Sequence, residues 1–274
     1  MEKPLQSMPP GAADGKPPVV LCISGSDPSG GAGLEADLKV LHHHGVYGMA
    51  VPTLLTVQNT VGVKKVKYLE PQFLEEQVDA LWEDLPPAVV KIGAIGSRQM
   101  LHALVRLLSQ ARAQGVKVVL DTVLQSSSGT SLFDMRGLDD LVERLMPLAA
   151  IVTPNVPEFD LISGKPTTEA NAAAHLLAFG RDRPYAILLK GGHFPGDPAD
   201  FLYERQSVRK LPGQRVDTPH THGTGCALAS ALAAQLALGR ELGEAVENAR
   251  GFVRRALLTA PGLGQGRGPL NLGA

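Results

Sequence analysis

The sequence predicts one doubly wound α/β domain with a mainly parallel sheet. Two observations lead there. Short, continuous apolar runs, of the kind found in strands buried on both faces, alternate with longer stretches of helical periodicity. These runs end repeatedly in glycine-containing, acidic or amide-bearing segments, where open α/β sheets gather ligands. No internal repeat or linker divides the 274 residues, a length sufficient for a substantial buried core.

The elements follow in order. Val19-Val20-Leu21-Cys22-Ile23 is the first buried strand, with Cys22 inert inside it. The glycine loop over 24–33 leads into a helix over 34–44. Strand, glycine loop and helix present backbone N–H groups to a ligand, although this loop is neither a Walker A loop nor a dinucleotide fingerprint. A strand over 49–57 ends in Gln58-Asn59-Thr60, an edge strand follows over 61–68, and Phe73, Leu74, Val78, Leu81 and Trp82 set a helix over 71–85. Next come a strand over 88–93, a helix over 100–114 stopped by Gly115, and a strand over 117–121 ending on Asp121. A serine-rich loop over 123–130 precedes a helix over 138–148, a strand over 149–153, a helix over 167–179 and a strand over 185–189 ending in Lys190. A polar hairpin through 201–211 and helices over 221–238 and 242–258 complete the domain, taken as 19–260. Residues 1–18, rich in Pro and Gly, read as a disordered tail, and 261–274 as a flexible one.

Composition narrows the function. A formal charge of −1 leaves no electrostatic footprint for nucleic acid or an acidic membrane surface, and Lys64-Lys65 and Arg254-Arg255 read as solvated faces. Two cysteines, Cys22 and Cys226, form neither a disulfide framework nor a metal-ligand spacing and fit a reducing cytoplasm. No apolar run approaches the ~20 residues of a membrane-spanning helix, and the N-terminus lacks the apolar core of a signal peptide. His42-His43-His44 invites a metal, but consecutive helical residues point about 100° apart, so three cannot face one ion. They read as a solvated helix end suited to the dipole.

The chemistry centres on Thr221-His222-Gly223-Thr224-Gly225-Cys226, a tight glycine turn running into a helix rich in small residues. The unpaired first-turn N–H groups and the helix dipole suit an anion, most simply a phosphate, and the same field favours thiolate at Cys226. An ordinary buried helix beginning with glycines fits this stretch equally well. Gln58 carries donor and acceptor atoms for a heterocycle bearing an amino group, although a loop glutamine facing water fits too. Asp27, Gln58, Asp121, Asn155, Glu158, Lys190 and Cys226 all follow a predicted strand or begin a helix. Their convergence points to phosphate and divalent-metal chemistry: a lysine for charge, acids and an amide for hydrated Mg²⁺, a helix terminus for the oxyanion.

Taken together, the loop over 24–33 with Ala36-Asp37-Leu38-Lys39, then Gln58-Asn59-Thr60, Lys91-Ile92-Gly93, Asp121-Thr122-Val123, Thr153-Pro154-Asn155 with Glu158, Lys190-Gly191-Gly192-His193 and the 221–226 turn closely resemble the hydroxymethylpyrimidine/phosphomethylpyrimidine kinases of thiamine biosynthesis. The resemblance runs from about 19 to 258 and implies a ribokinase-like α/β/α sandwich, often a homodimer. It implies two successive phosphorylations that use ATP and Mg²⁺, first of the hydroxymethyl group of 4-amino-5-hydroxymethyl-2-methylpyrimidine, then of its monophosphate. Carried over by motif, Gln58 reads the amino group and ring nitrogen, and Asp27, Ala32, Ala94 and Val123 complete the substrate pocket. Lys190, Asn155 and Thr224 serve the nucleotide, and Asn155, Glu158 and Asp121 serve Mg²⁺ and its waters. Gly223 to Cys226 form the anion hole, with the Cys226 thiolate as a base or a positioning group.

The chain departs from the family pattern at Ala94 (usually Met), Thr56 (usually apolar), Glu35 (usually Gln), and Ser127 and Thr130 (usually Lys and Asp of the lid). The alternatives to this activity are a pyridoxal kinase, since Ala94 widens the pocket, and a pyrimidine-binding regulatory protein without catalysis.

Overall fold

The computed structural model describes residues 15–126 and 128–274, so most of the expected N-terminal tail, and Ser127, lie outside the described residues. Strands and helices alternate as the apolar runs predict: β1 (Val19–Ser26), α1 (Gly33–His43), β2 (Tyr47–Asn59), β3 (Gly62–Tyr68), α2 (Pro71–Asp84), β4 (Val89–Ile92), α3 (Arg98–Ala113), β5 (Lys117–Leu120), α4 (Leu138–Asp140), β6 (Ile151–Val152), α5 (Val156–Ser163), α6 (Ala172–Gly180), β7 (Ala186–Leu189), β8 (Ala199–Glu204), β9 (Ser207–Pro212), α7 (Thr224–Ala237) and α8 (Leu242–Leu258).

The strands form one sheet in the order β3-β2-β1-β4-β5-β6-β7-β8-β9. From β2 to β7 the pairing is parallel, while β3 and the β8–β9 hairpin add antiparallel edges. β1 pairs β2 on one side and β4 on the other, so the chain reverses its winding there. The carboxyl ends of these strands flank a topological switch point, where the fold leaves a crevice.

Both faces of the central strands are apolar, so the sheet buries two cores. Leu21, Ile23, Val90, Ile92 and Leu120 pack against α2, α3, α5 and α6. Val20, Cys22, Val89, Val119 and Leu188 pack against α1, α7 and α8. In α7, Ala227, Ala229, Ser230, Ala231, Ala233 and Ala234 are all fully buried. Small side chains all round let this helix lie between the sheet, α1 and α8. Its first turn is thereby fixed against the strand ends.

Several expectations are corrected. The helix over 138–148 is a broken run: a 3₁₀ turn at Met135–Gly137, α4, a π-helical turn at Leu141–Leu145 and a 3₁₀ turn at Met146–Leu148. Pro147 removes a donor there, yet Leu141, Leu145 and Met146 still reach the core. The helix expected from 167 begins at Ala172, because Thr168 and Asn171 bond each other in a turn ahead of it. His42 and His43 are exposed as expected, but His44 is half-buried with its ring edge-on to Phe252, and burial pushes it down to about 4. The end of the C-terminal segment is packed, whereas 261–265 is exposed. Leu270 and Leu272 are buried, and Asn271 N–H donates to Ala256 O at the end of α8. The glycines of this segment mask its alternating leucines.

Candidate active site

The carboxyl ends of β1, β4, β5, β6 and β7 open into a cleft of about 1050 Å³ floored by the first turn of α7. Pockets for one small ligand occupy ~300–1,000 Å³, so this cleft suits a large ligand or two smaller ones side by side. Asp27, Ala32, Gln58, Ala94, Asp121, Val123, Asn155, Glu158, Lys190, Gly223, Thr224, Gly225 and Cys226 all line it.

Two glycine turns meet in the floor. Gly33 and Gly223 have φ of 59° and 82°, and a side chain on either would strike a carbonyl oxygen, of Gly25 and Gly31 respectively. Thr224 Oγ1 donates to Thr221 O (2.6 Å) and closes the second turn. The helical ladder begins with Ala227 N–H to Gly223 O (2.8 Å), so the amides of Gly225 and Cys226 lie ahead of it, at the positive end of the dipole. The thiolate expectation for Cys226 does not hold. Burial, helped by the Asp37 and Asp121 carboxylates and opposed by Lys91, pushes its thiol up to about 11. Desolvation outweighs the helix field.

On one wall, Lys190 Nζ donates to Asp121 Oδ1 (2.7 Å), which also accepts from Thr153 Oγ1 (3.0 Å). Burial alone would lower the Lys190 pKa, but Asp121 and Glu158 hold it above its ordinary value, so the ammonium is charged. Asn155 and Glu158 form a capping box at the start of α5: Asn155 Oδ1 accepts from Glu158 N–H (2.9 Å), and Glu158 Oε2 accepts from Asn155 N–H (2.8 Å). The cap uses one lone pair of the Asn155 carbonyl oxygen and leaves the other, with the amide N–H₂, for a ligand or a metal-bound water. Glu158 is buried, and that burial pushes it up to about 6 against the pull of Lys190. Among the described residues no three His, Cys, Asp or Glu side chains converge on one metal position. Two neighbouring carboxylates, one with Oε1 outside the cap, do fit Mg²⁺, which keeps its waters and binds one or two carboxylates beside phosphate.

At the other end, Ala94 packs with Leu54 and Leu132, and Val123 rests on them, forming an apolar wall of the cleft that Gln58 also lines. Asp27 lies in the cleft wall but is not free to bind a substrate. Its Oδ1 accepts from Ser29 N–H and Oγ–H (2.9 and 2.7 Å), and its Oδ2 from Ala32 N–H (3.0 Å) and His222 Nε2 (2.7 Å). Those four donors use a carboxylate's four lone-pair sites. The Gln58 amide lies 3.2 Å from the same His222 Nε2. Two family departures settle into this loop: Glu35 accepts from Ser26 Oγ–H (2.5 Å) and Asp27 N–H (2.8 Å), and Thr56 Oγ1 donates to Ser26 O (3.0 Å).

Residues 27–271 match the family model described as phosphomethylpyrimidine kinase. The chain belongs to the phosphomethylpyrimidine kinase family. It is 38% identical over 260 residues to the hydroxymethylpyrimidine/phosphomethylpyrimidine kinase of Staphylococcus aureus strain MRSA252, covering 93% of this chain and 94% of that protein. Among solved structures it is similar to the phosphomethylpyrimidine kinase of Clostridium difficile 630 (TM-score 0.77, 35% identity, 88% of this chain and 99% of that one). It is also similar to the Bacillus subtilis pyridoxal kinase in its ADP complex (TM-score 0.84, 27% identity, 94% and 98%). The fold is thus the ribokinase-like one that the resemblance implies.

Sequence reasoning missed the far end of this kinase cleft. Beyond Lys190 it continues between residues 212–216 and α8, where Val216, Val253 and Leu257 offer apolar surface. Arg250 fixes this end by donating to Asp200 Oδ2 and to the carbonyls of Leu211 and Pro212. Arg254 is exposed, as expected, and donates to Gln214 Oε1 (2.6 Å) at the rim of the cleft. No motif marks this region; only the i, i+4 spacing of Arg250 and Arg254 hinted at one surface. Also unforeseen is the buried pair of Lys91 and Asp37 (2.8 Å) beneath the α7 turn, with Ser230 Oγ–H on Asp37 (2.6 Å).

Proposed function

We propose that this chain transfers the γ-phosphoryl group of ATP to the hydroxymethyl oxygen of 4-amino-5-hydroxymethyl-2-methylpyrimidine, and then phosphorylates the monophosphate, as thiamine biosynthesis requires. The observation that carries the reading is one continuous cleft lined by the Gln58 amide, the first turn of α7, Lys190 and, beyond them, the apolar surface of Val253 and Leu257. Family membership supports the activity. In the first step the substrate oxygen forms a bond to phosphorus, the bond to ADP's oxygen breaks, and the hydroxyl proton passes to water. In the second the acceptor is an already ionised phosphate.

Each role follows from local chemistry. Ala94 and Val123 hold the ring's apolar face while Gln58 reads its nitrogen edge. Lys190 offsets triphosphate charge, and the Gly225 and Cys226 amides receive charge on the transferring group. Asn155 offers its N–H₂ to phosphate or water, and the turn closed by Thr224 holds the amides in place. Glu158 and Asp121 would hold Mg²⁺, which supplies charge neutralisation between the phosphates. A protonated Cys226 positions the acceptor rather than removing its proton. ATP's base occupies the apolar end beside Val253 and Leu257.

The reading includes a homodimer in a reducing cytoplasm. Tyr47, Leu55, Val57, Val61 and Tyr68 expose apolar surface along β2–β3, which favours self-association, and two unpaired cysteines suit a reducing compartment. A pyridoxal kinase is the second reading, favoured by the likeness to such enzymes and by the small Ala94. The test is a time course with ATP, Mg²⁺ and hydroxymethylpyrimidine, products resolved by mass. Monophosphate followed by diphosphate is expected, and absence of both refutes the reading.

A further inference from the structure

The network behind Gln58 has a direction. Burial alone would raise the pKa of Asp27, but hydrogen bonds from His222 and Ser29 more than offset it and hold the carboxyl below its ordinary value. An ionised carboxylate has no proton to give, so the 2.7 Å contact between Oδ2 and His222 Nε2 requires the proton on Nε2. This is true of the neutral ring and of its cation. Nε2 then has no lone pair for the Gln58 amide 3.2 Å away. An N–H₂ turned toward it sets donor against donor, whereas a half-turn of the amide presents Oε1, which accepts.

We propose that His222, clamped by Asp27, is a positioning residue for specificity that fixes the Gln58 amide with Oε1 toward His222 and N–H₂ toward the substrate ring. The clamp is rigid. His222 is buried, its backbone N–H donates to Gly268 O (3.1 Å), and any side chain at Gly31 would press on its ring. Asp27 has no spare lone pair with which to release it. Gln58 therefore acts on the ring as a donor. A ring with a nitrogen lone pair there is accepted, and one with N–H there meets donor against donor.

The choice of test ligands rests on the kinase reading above; the first measurement does not. Ring ¹⁵N correlation spectra of the whole ligand-free protein, read at His222, are expected to place the proton on Nε2. A bare Nε2 overturns the proposal. Calorimetry then compares hydroxymethylpyrimidine with its 3-deaza analogue, which keeps the amino group and carries C–H in place of the ring lone pair. The wild-type protein is expected to favour the ring with the lone pair by about tenfold or more, the worth of one buried hydrogen bond. His222→Phe frees the amide and brings the two affinities together, and Gln58→Glu, with acceptors only, inverts the preference. Equal weakening of both ligands by His222→Phe, with the ratio kept, or an unchanged preference in Gln58→Glu, overturns the proposal. Should the wild-type protein bind neither ligand, the kinase reading fails, while the proton position still decides the clamp.

Discussion

The Lys190 ammonium lies 2.7 Å from Asp121 Oδ1, and α7 crosses the pair at Gly225, where a side-chain carbon would sit 3.3 Å from Nζ. The missing side chain leaves the cation open to the cleft beside the helix N-terminus. Lys190→Ala is therefore expected to lower phosphorylation by about 10²-fold or more, as lost transition-state charge stabilisation does. Pyrimidine affinity should be nearly unchanged. Calorimetry with a product assay checks both, and full activity in the variant removes Lys190 from the reaction.

Glu158 is held ionised against its burial. Its folded value of about 6 exceeds its ordinary 4.5, so between these the folded chain keeps a proton that the unfolded chain has lost. The stability this contributes is present below pH 4.5 and lost as pH rises through 6, a deficit of about 2 kcal/mol at pH 7. Glu158→Gln keeps an acceptor for Asn155 N–H and has no such deficit. Melting curves from pH 4 to 8 should show the variant gaining on the wild type up to about pH 6. Its phosphorylation should be severely reduced, and wild-type turnover should fall as pH drops through about 6.

With its thiol at about 11, Cys226 is protonated at neutral pH. Cys226→Ser is expected to slow both phosphorylations alike and to leave the shape of the pH–rate profile unchanged between pH 6 and 9. A thiolate base would instead give a wild-type rate rising with pH, a first step hit far harder than the second, and a flat profile in the variant.

The fold was legible because each parallel strand is a short apolar run bounded by turn residues. The site was legible because strand ends are where such sheets carry chemistry, and Asp121, Lys190 and Gln58 each end a run. Roles that depend on who bonds whom were not. Asp27 looks like a substrate ligand until its oxygens are seen filled by Ser29, Ala32 and His222. Cys226 looks activated until its burial is weighed against the helix field. The C-terminal strand of contacts through Leu270 and Leu272 was hidden by its glycines.

Lys91 and Asp37 are both fully buried and 2.8 Å apart. Lys91→Met strands the Asp37 carboxylate and should cost about 3–5 kcal/mol in urea denaturation. Lys91→Met combined with Asp37→Leu should recover most of that loss, and a double variant as unstable as the single one would show that the pair's charges are not what matters.

The most direct test of the central claim is a competition. Equal concentrations of hydroxymethylpyrimidine and pyridoxal are mixed with limiting enzyme, ATP and Mg²⁺, and early products are resolved by mass. A cleft assigned to the aminopyrimidine, as family membership supports, should make pyrimidine phosphates lead by about tenfold or more. Pyridoxal phosphate forming as fast, or faster, would contradict the assignment of this cleft to the pyrimidine.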